Sequence, residues 1–272
     1  MLRKTARLCF LLTLTAAACE KPPAGEPTEV PGEANTEPAA AGEEAPEATA
    51  DAPAADLPEA TEVLAQAVEA IGGKEAVDKI TSSYMESKTS IKAQNLDYKT
   101  KIWSKGDNFY VEIVMPGVGT SQVWKKGEEI WSKDPINGMR KLEGKEADQT
   151  RWGADPLLAA NWQKYFDEAK TLEVRDLGDK QVYAVQLSKG ETELVLLFDV
   201  EGYLPAGQSF TQETPMGSLP VTVTLEDYRK VEGVMTSFKS VTSMQIMNIE
   251  QSIEKYDVNV EIDDAKFDHP EA

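Results

Sequence analysis

The fold of this chain is decided by residues 98–126, which read YKTKIWSKGDNFYVEIVMPGVGTSQVWKK. Apolar and polar residues alternate here, so that Phe109, Val111 and Ile113 fall on one face of an extended segment. Alternation with a period of two predicts a β-strand with one buried face. Turn-forming residues separate the alternating runs about every ten residues, as at 105–108. The stretch therefore predicts an antiparallel meander.

Helical patterns interrupt this rhythm. Apolar residues recur at helical spacing from Leu57 to Ile71, after an Asp-x-x-Glu capping box at Asp56 and before Gly72-Gly73. Residues 155–166 predict the most apolar helix of the chain, with Asp155 as its cap. The remaining strands are predicted at 171–177, 181–188, 192–199, 208–213, 221–228, 234–244 and 246–260.

These patterns predict one domain over residues 57–272. No alternation of strand and helix occurs that would build a parallel sheet. We expect a mostly β fold with helices (α+β): a curved antiparallel half-barrel sheet of about 11 strands, with helices against its concave face.

Composition excludes several classes of function. The 272 residues include 28 Lys and Arg, 47 Asp and Glu, one His and two Cys, and the net charge is −19. This acidic balance argues against a nucleic-acid partner, because nucleic-acid binding is driven by contacts between cations and phosphates. The few Cys and His residues argue against a Cys-rich zinc site, a disulfide framework or a multi-His centre. We therefore expect no metal and no cofactor.

Residues 1–18 have the pattern of a secretory signal: Arg3, Lys4 and Arg7, then a short apolar run, then small residues. The run is too short to span a bilayer. With Ala17 and Ala18 before Cys19, this start resembles a bacterial lipoprotein signal peptide. That resemblance implies lipidation of Cys19, which would anchor the chain in a membrane.

Residues 19–56 predict a tether. From position 20 onward they contain seven Pro, no aromatic residue and ten acids against one Lys. A segment of this acidic, Pro/Ala/Glu-rich composition cannot bury enough apolar surface to fold, so we expect it to be disordered. As a random coil it would span roughly 35 Å.

Two short motifs at the ends of the predicted domain resemble a known superfamily. The first is AIGGKEA at 70–76, and the second comprises DYRKVEGV at 227–234 with VNVEIDDAKFDHP at 258–270. Together they resemble outer-membrane lipoprotein-sorting-like proteins of the lipoprotein-carrier superfamily (LolA, LolB, LppX and relatives). The resemblance implies a half-barrel closed by helices around an apolar cavity that takes acyl chains. No binding residue of the family transfers position by position.

Nine residues are candidates for lining such a cavity, because alternation places them on the inner face of the sheet. Met is well suited to variable ligands. The alternative is that these side chains simply pack on the helices. The candidates are Phe109, Val111, Ile113, Val221, Val223, Leu225, Phe238, Met247 and Ile249.

No catalytic residue is expected. His269 is the only imidazole and stands near the C-terminus beside Pro270, so a Ser-His-Asp site would depend on it alone. Trp103, Trp124 and Trp131 fall on neighbouring predicted strands. They could form an exposed aromatic ladder for a glycan or a partner, but cross-strand packing is the simpler interpretation.

We expect a non-enzymatic monomer. The lipoprotein-signal resemblance implies an anchor at Cys19 in the outer membrane, facing the periplasm. The carrier-superfamily resemblance implies lipid or lipoprotein acyl chains as the ligand. The alternative is an envelope interaction or stress-sensor module that keeps the fold without a lipid ligand.

Overall fold

The computed structural model describes residues 57–214, 217–244 and 247–270. The predicted signal peptide, Cys19 and the tether lie outside these residues. The helices are α1 (Ala60–Ala70), α2 (Gly73–Asp78), α3 (Gly144–Gly153) and α4 (Leu158–Asn161). The strands are β1 (Ser82–Ile91), β2 (Leu96–Lys105), β3 (Asn108–Met115), β4 (Gly119–Lys126), β5 (Glu129–Asp134), β6 (Gly138–Lys141), β7 (Glu168–Leu177), β8 (Lys180–Lys189), β9 (Thr192–Asp199), β10 (Pro205–Thr214), β11 (Gly217–Val231), β12 (Val234–Met244) and β13 (Met247–Val258).

All the strands of the described part of the chain form one antiparallel sheet in the order β6-β5-β4-β3-β2-β1-β13-β12-β11-β10-β9-β8-β7. The first six strands are a meander that runs outward from β1, and the last seven are a meander that returns to β13, beside β1. The edges of the sheet are therefore β6 and β7, which are consecutive in sequence. The segment between them, with α3 and α4, must cross from one edge to the other.

The sheet has thirteen strands, so the expected number of about eleven was too low. The fold class and the antiparallel meander are as predicted. β6 is a four-residue edge strand, too short to show an alternating pattern. The strand predicted at 192–199 is β9, and it lies between β8 and β10, third from the β7 edge of the sheet.

The helix predicted over residues 155–166 is wrong. The chain forms only the four-residue helix α4, followed by a 3₁₀ turn at Trp162–Lys164. The reason is the buried carboxylate of Asp155, which accepts hydrogen bonds from the Leu157 backbone, the Asn161 amide and the Tyr165 hydroxyl. These local bonds compete with a regular helical backbone.

Helix α1 begins at Ala60 and buries Val63, Leu64 and Ala67. The capping box expected at Asp56 is not what starts it, because Glu59 is the N-cap residue and forms no side-chain cap bond. Gly72 follows the helix with φ 116°, a left-handed conformation that Gly adopts readily.

The helices lie on the inner face of the sheet. α1 packs on β7 and β8, and α2 packs on β12. α3 lies near β10 and is tied to both halves of the sheet, because Arg151 donates to the Glu128 carbonyl (3.1 Å) and Gln149 donates to the Thr211 carbonyl (2.5 Å). The inner face is consequently covered by the helical crossover. Within the described ranges, no helix is both long and apolar enough to cross a membrane.

Candidate functional site

The nine predicted cavity residues lie in two neighbouring apolar clusters on the inner face. Seven are buried, and Phe238 and Met247 are partly buried. One cluster contains the residues of β3, β12 and β13, and the other contains the three residues of β11. Met244 packs against both clusters. The structure thus brings these residues together, and ligand contact at them stays a prediction.

An open crevice lies beside these clusters, between α1, the α3–α4 crossover and strands β9 and β10. Its empty space is about 500 Å³, which includes the part that is open to solvent. None of the nine predicted residues lines it. The sequence-based choice of residues therefore missed this part of the inner face.

Each wall of the crevice follows from a local pattern in the sequence. Helix α1 contributes Ala67 and Ile71, which are one helical turn apart and so share a face. β9 contributes Leu196 and Phe198, which are two residues apart and so share a face of the sheet. The crossover contributes Leu158 and other residues between 152 and 159. Most of the lining is apolar, as is typical of ligand sites.

Three lining residues carry polar groups: Trp152, Asp155 and Gln208. Asp155 is 1% exposed and well satisfied, because its two oxygens accept from the Leu157 backbone (2.9 Å), Asn161 Nδ2 (3.0 and 3.2 Å) and Tyr165 Oη (2.9 Å). It fixes the wall that the crossover forms.

Trp152 is 3% exposed, and its buried Nε1 has no hydrogen-bond partner in the described part of the chain. Its ring packs edge-on to Phe210 (centroids 5.2 Å apart, 87°) and against Phe166 (6.2 Å). A buried donor without an acceptor costs about 1–3 kcal/mol. An arrangement of this kind calls for a physical explanation.

Gln208 is 7% exposed and faces the inner side of β10, opposite Leu196 and Val223. The described residues provide no hydrogen bond to its side-chain amide. The sequence gives little signal for this residue, because Phe210 is the one large apolar residue in 205–214.

An ion pair holds the start of helix α3. Arg140 on β6 forms a bidentate pair with Glu146, with both N–O distances at 2.6 Å. The hydrogen bonds that Arg140 donates to the Glu146 carboxylate hold the pKa of the Arg140 guanidinium above its ordinary value. The pair fixes the point at which the crossover leaves the sheet edge.

The three Trp residues expected on neighbouring strands belong to a row of five aromatic side chains on the outer face. Directly paired positions on β1 to β5 place them side by side, with ring centroids 5.1, 5.3 and 5.4 Å apart along the first four. The row is Tyr84, Trp103, Tyr110, Trp124 and Trp131.

The C-terminal segment lies over this aromatic row. Phe267 is fully buried against it, and Lys266 Nζ lies 3.9 Å from the centre of the Trp103 ring. His269 stacks on Trp131 at 4.4 Å. The interpretation of the Trp residues as cross-strand packing therefore describes this surface, and His269 is part of the cover.

Three solved structures share this architecture. A DUF1329 family protein from Desulfovibrio piger matches over 77% of this chain and 97% of its own, with 15% identity and a TM-score of 0.53. A LolA superfamily protein from Nitrosomonas europaea matches over 78% and 99%, with 16% identity and a TM-score of 0.51. A domain from Vibrio parahaemolyticus assigned to outer membrane lipoprotein sorting matches over 76% and 97%, with 14% identity and a TM-score of 0.51.

The chain has the LolA-like fold. The resemblance expected from the motifs at 70–76 and 227–270 is confirmed at this level. No family model and no curated protein matches the chain. In the LolA-like sheet, the crevice is on the inner face, on the side of β9 and β10.

Proposed function

We propose that this protein binds an acyl chain of a lipid or lipoprotein on the inner face of its LolA-like sheet, without catalysing a reaction. The observation that carries the proposal is the apolar crevice between α1, the crossover and strands β9 and β10. Burial of a hydrocarbon chain there would be driven by removal of apolar surface from water. Met244 and Met247, which pack beside the crossover, can adapt to chains of different shape.

The enclosed part of the crevice is smaller than 500 Å³, because that volume includes space that is open to solvent. An acyl chain would therefore have to extend from it toward the two clusters that contain the nine predicted residues. On this proposal, Phe238 and Met247 are contacted next, since they are the two of the nine that are only partly buried.

We further propose that the protein is anchored through a lipidated Cys19 in the outer membrane, facing the periplasm. The lipobox-like residues before Cys19 and the acidic composition of residues 20–56 support this placement. A covalent anchor would keep the domain at one membrane, so it would act as a local binder or receptor. Its partners would be the membrane and the acyl-bearing ligand, and we expect a monomer.

The binding proposal is tested by native mass spectrometry of the protein recovered from membranes, with a variant that fills the crevice. Ala159→Trp adds an indole at a lining position of α4. Ala160→Trp adds the same group one residue later, at an exposed position that does not line the crevice. We expect an acyl-bearing ligand on the wild type and on Ala160→Trp, and at least a tenfold loss of occupancy in Ala159→Trp.

Two results would contradict the proposal. The first is wild-type protein that is consistently free of ligand and does not bind an added acyl probe. The second is equal occupancy in both Trp variants, which would place the ligand away from the crevice.

The interaction-module alternative is favoured by one observation, the edge strand β7. Its residues Leu172 and Val174 are 39% and 40% exposed. Among the described strands, only β8 pairs with it. A partner strand could add to such an edge. Replacing both residues with Lys should abolish capture of that partner from envelope extracts and leave acyl binding unchanged. Unchanged capture would exclude this edge.

A further inference from the structure

Trp152 and Gln208 bring two polar side-chain groups to an otherwise apolar crevice, and both are more than nine-tenths buried. The indole Nε1–H of Trp152 is buried and has no acceptor in the described part of the chain, and native interiors rarely leave a buried donor in this state. Gln208 adds a second polar side chain to the lining of the same crevice. Since both residues line the same crevice, a ligand in it could supply the missing partner.

Both residues line one side of the crevice because of the sheet geometry. Trp152 packs edge-on to Phe210, with ring centroids 5.2 Å apart. Phe210 and Gln208 are two residues apart on β10 and therefore share a face of the sheet. The indole and the amide are thus held over the same face of β10, and the packing of Trp152 between Phe166 and Phe210 restricts rotation of its ring.

The charges around the crevice limit the ligand. Asp155 is the one charged side chain among the described lining residues, and its carboxylate is buried. None of the described lining residues is Lys, Arg or His. A carboxylate or phosphate at this point would meet a like charge in a poorly solvated place, without a cation to offset it. A neutral acceptor carries no such penalty.

We propose that Trp152 and Gln208 form a polar anchor that holds the neutral carbonyl of an ester-linked or amide-linked acyl chain. This inference rests on the proposed function. The indole Nε1–H and the Gln208 amide N–H donate to the carbonyl oxygen, and the hydrocarbon chain lies along Leu196 and Phe198. The site then discriminates against ionised fatty acids and against plain hydrocarbons.

The test uses the full chain with Cys19→Ala, which removes the predicted lipidation and leaves residues 57–272 intact. Diphenylhexatriene, a hydrocarbon probe without polar atoms, is displaced by methyl decanoate, by decanoate or by decane at pH 8. We expect methyl decanoate to bind at least tenfold more tightly than either of the other two. Trp152→Phe and Gln208→Met should each weaken the binding of methyl decanoate three- to tenfold and leave the binding of decane unchanged.

Matched controls are Trp162→Phe and Gln212→Met, which make the same changes at residues that do not line the crevice. They should retain the preference for the ester. Two results would overturn the anchor: an ester preference that persists in both anchor variants, or a wild-type preference for decanoate. In either case, binding of the probe would still support the proposed function. A wild type that binds neither the probe nor any of the three compounds would overturn the proposed function itself.

Thermal unfolding of unliganded Gln208→Met gives a second readout that does not depend on Trp152→Phe being folded. Removal of a buried amide without a partner should leave the Tm unchanged or raise it. A fall of several degrees would show that the amide has a structural hydrogen bond, and would overturn its role as an anchor.

Discussion

Replacement of Asp155 by Ala should destabilise the domain strongly. The carboxylate is 1% exposed and accepts from three groups, namely the Leu157 backbone, the Asn161 amide and the Tyr165 hydroxyl, at 2.9 to 3.2 Å. Ala would leave all three donors without this acceptor. At about 1 kcal/mol net for each bond, the expected loss in free energy of unfolding is about 3–4 kcal/mol.

The assay is urea unfolding at pH 7, followed by circular dichroism. For a domain of this size, such a loss corresponds to a fall in Tm of about 6–16 °C. Tyr165→Phe removes one of the three donors and should lose only about 1 kcal/mol. Asp155→Ala should also weaken acyl binding, because the residue fixes one wall of the crevice.

A loss below about 1 kcal/mol for Asp155→Ala would refute this reasoning. It would show that water replaces the carboxylate easily, and that the interrupted helix at 155–166 has another cause. A loss for Tyr165→Phe as large as that for Asp155→Ala would show instead that the hydroxyl dominates the cluster.

Three further changes test other parts of the fold. Gly72→Ala should lower the free energy of unfolding in urea by about 3 kcal/mol, because a Cβ there would lie 2.4 Å from the Gly233 carbonyl oxygen at φ +116°. Gly106 has φ +56° and open space around it, so Gly106→Ala should lower the same quantity by only about 1 kcal/mol. Equal losses would contradict the clash. Phe267→Ala should lose about 3–5 kcal/mol, since the ring is fully buried over the aromatic row, and a change below 1 kcal/mol would show that the C-terminal segment is not needed. Burial raises the pKa of Tyr110 to about 12, so the unfolded state releases this proton first and the free energy of unfolding should fall as the pH rises from about 10 toward 12. Tyr110→Phe should flatten that fall, as measured by urea unfolding across the same pH range. An unchanged slope in the variant would refute this prediction.

The sheet could be predicted because its signal is local. Residues 221–225 alternate cleanly, and the structure places Val221, Val223 and Leu225 on one buried face of β11. The strand predicted at 192–199 has the bounds of β9. Strand number was less predictable, because a short edge strand such as β6 depends on its neighbour and not on its own pattern.

The crossover could not be predicted in the same way. An apolar face at 155–166 is compatible with a helix, and the apolar pattern does not show the bonds that Asn161 and Tyr165 donate to the buried Asp155 carboxylate. The crevice is a stronger case, because its walls come from residues near 67, 155 and 200 of the chain. Nothing in the sequence says that β9 and β10 lie below the gap between α1 and the crossover. Gln208 is not marked by the pattern of its own strand, and its significance depends on what faces it.

The strand order explains why the crevice forms where it does. Because β6 and β7 are opposite edges of the sheet and consecutive in sequence, the crossover has to pass over the inner face, and α3 is fastened at Glu128 on one side and at Thr211 on the other. Helix α1 covers β7 and β8 independently, so two separate covers meet above β9 and β10. A seam between two covers is less tightly filled than a surface beneath one helix. Trp152 and Gln208 line this gap, one from the crossover and one from the sheet. Movement of the crossover away from the sheet would therefore separate them. A ligand that bonds to both would hold the crossover against the sheet.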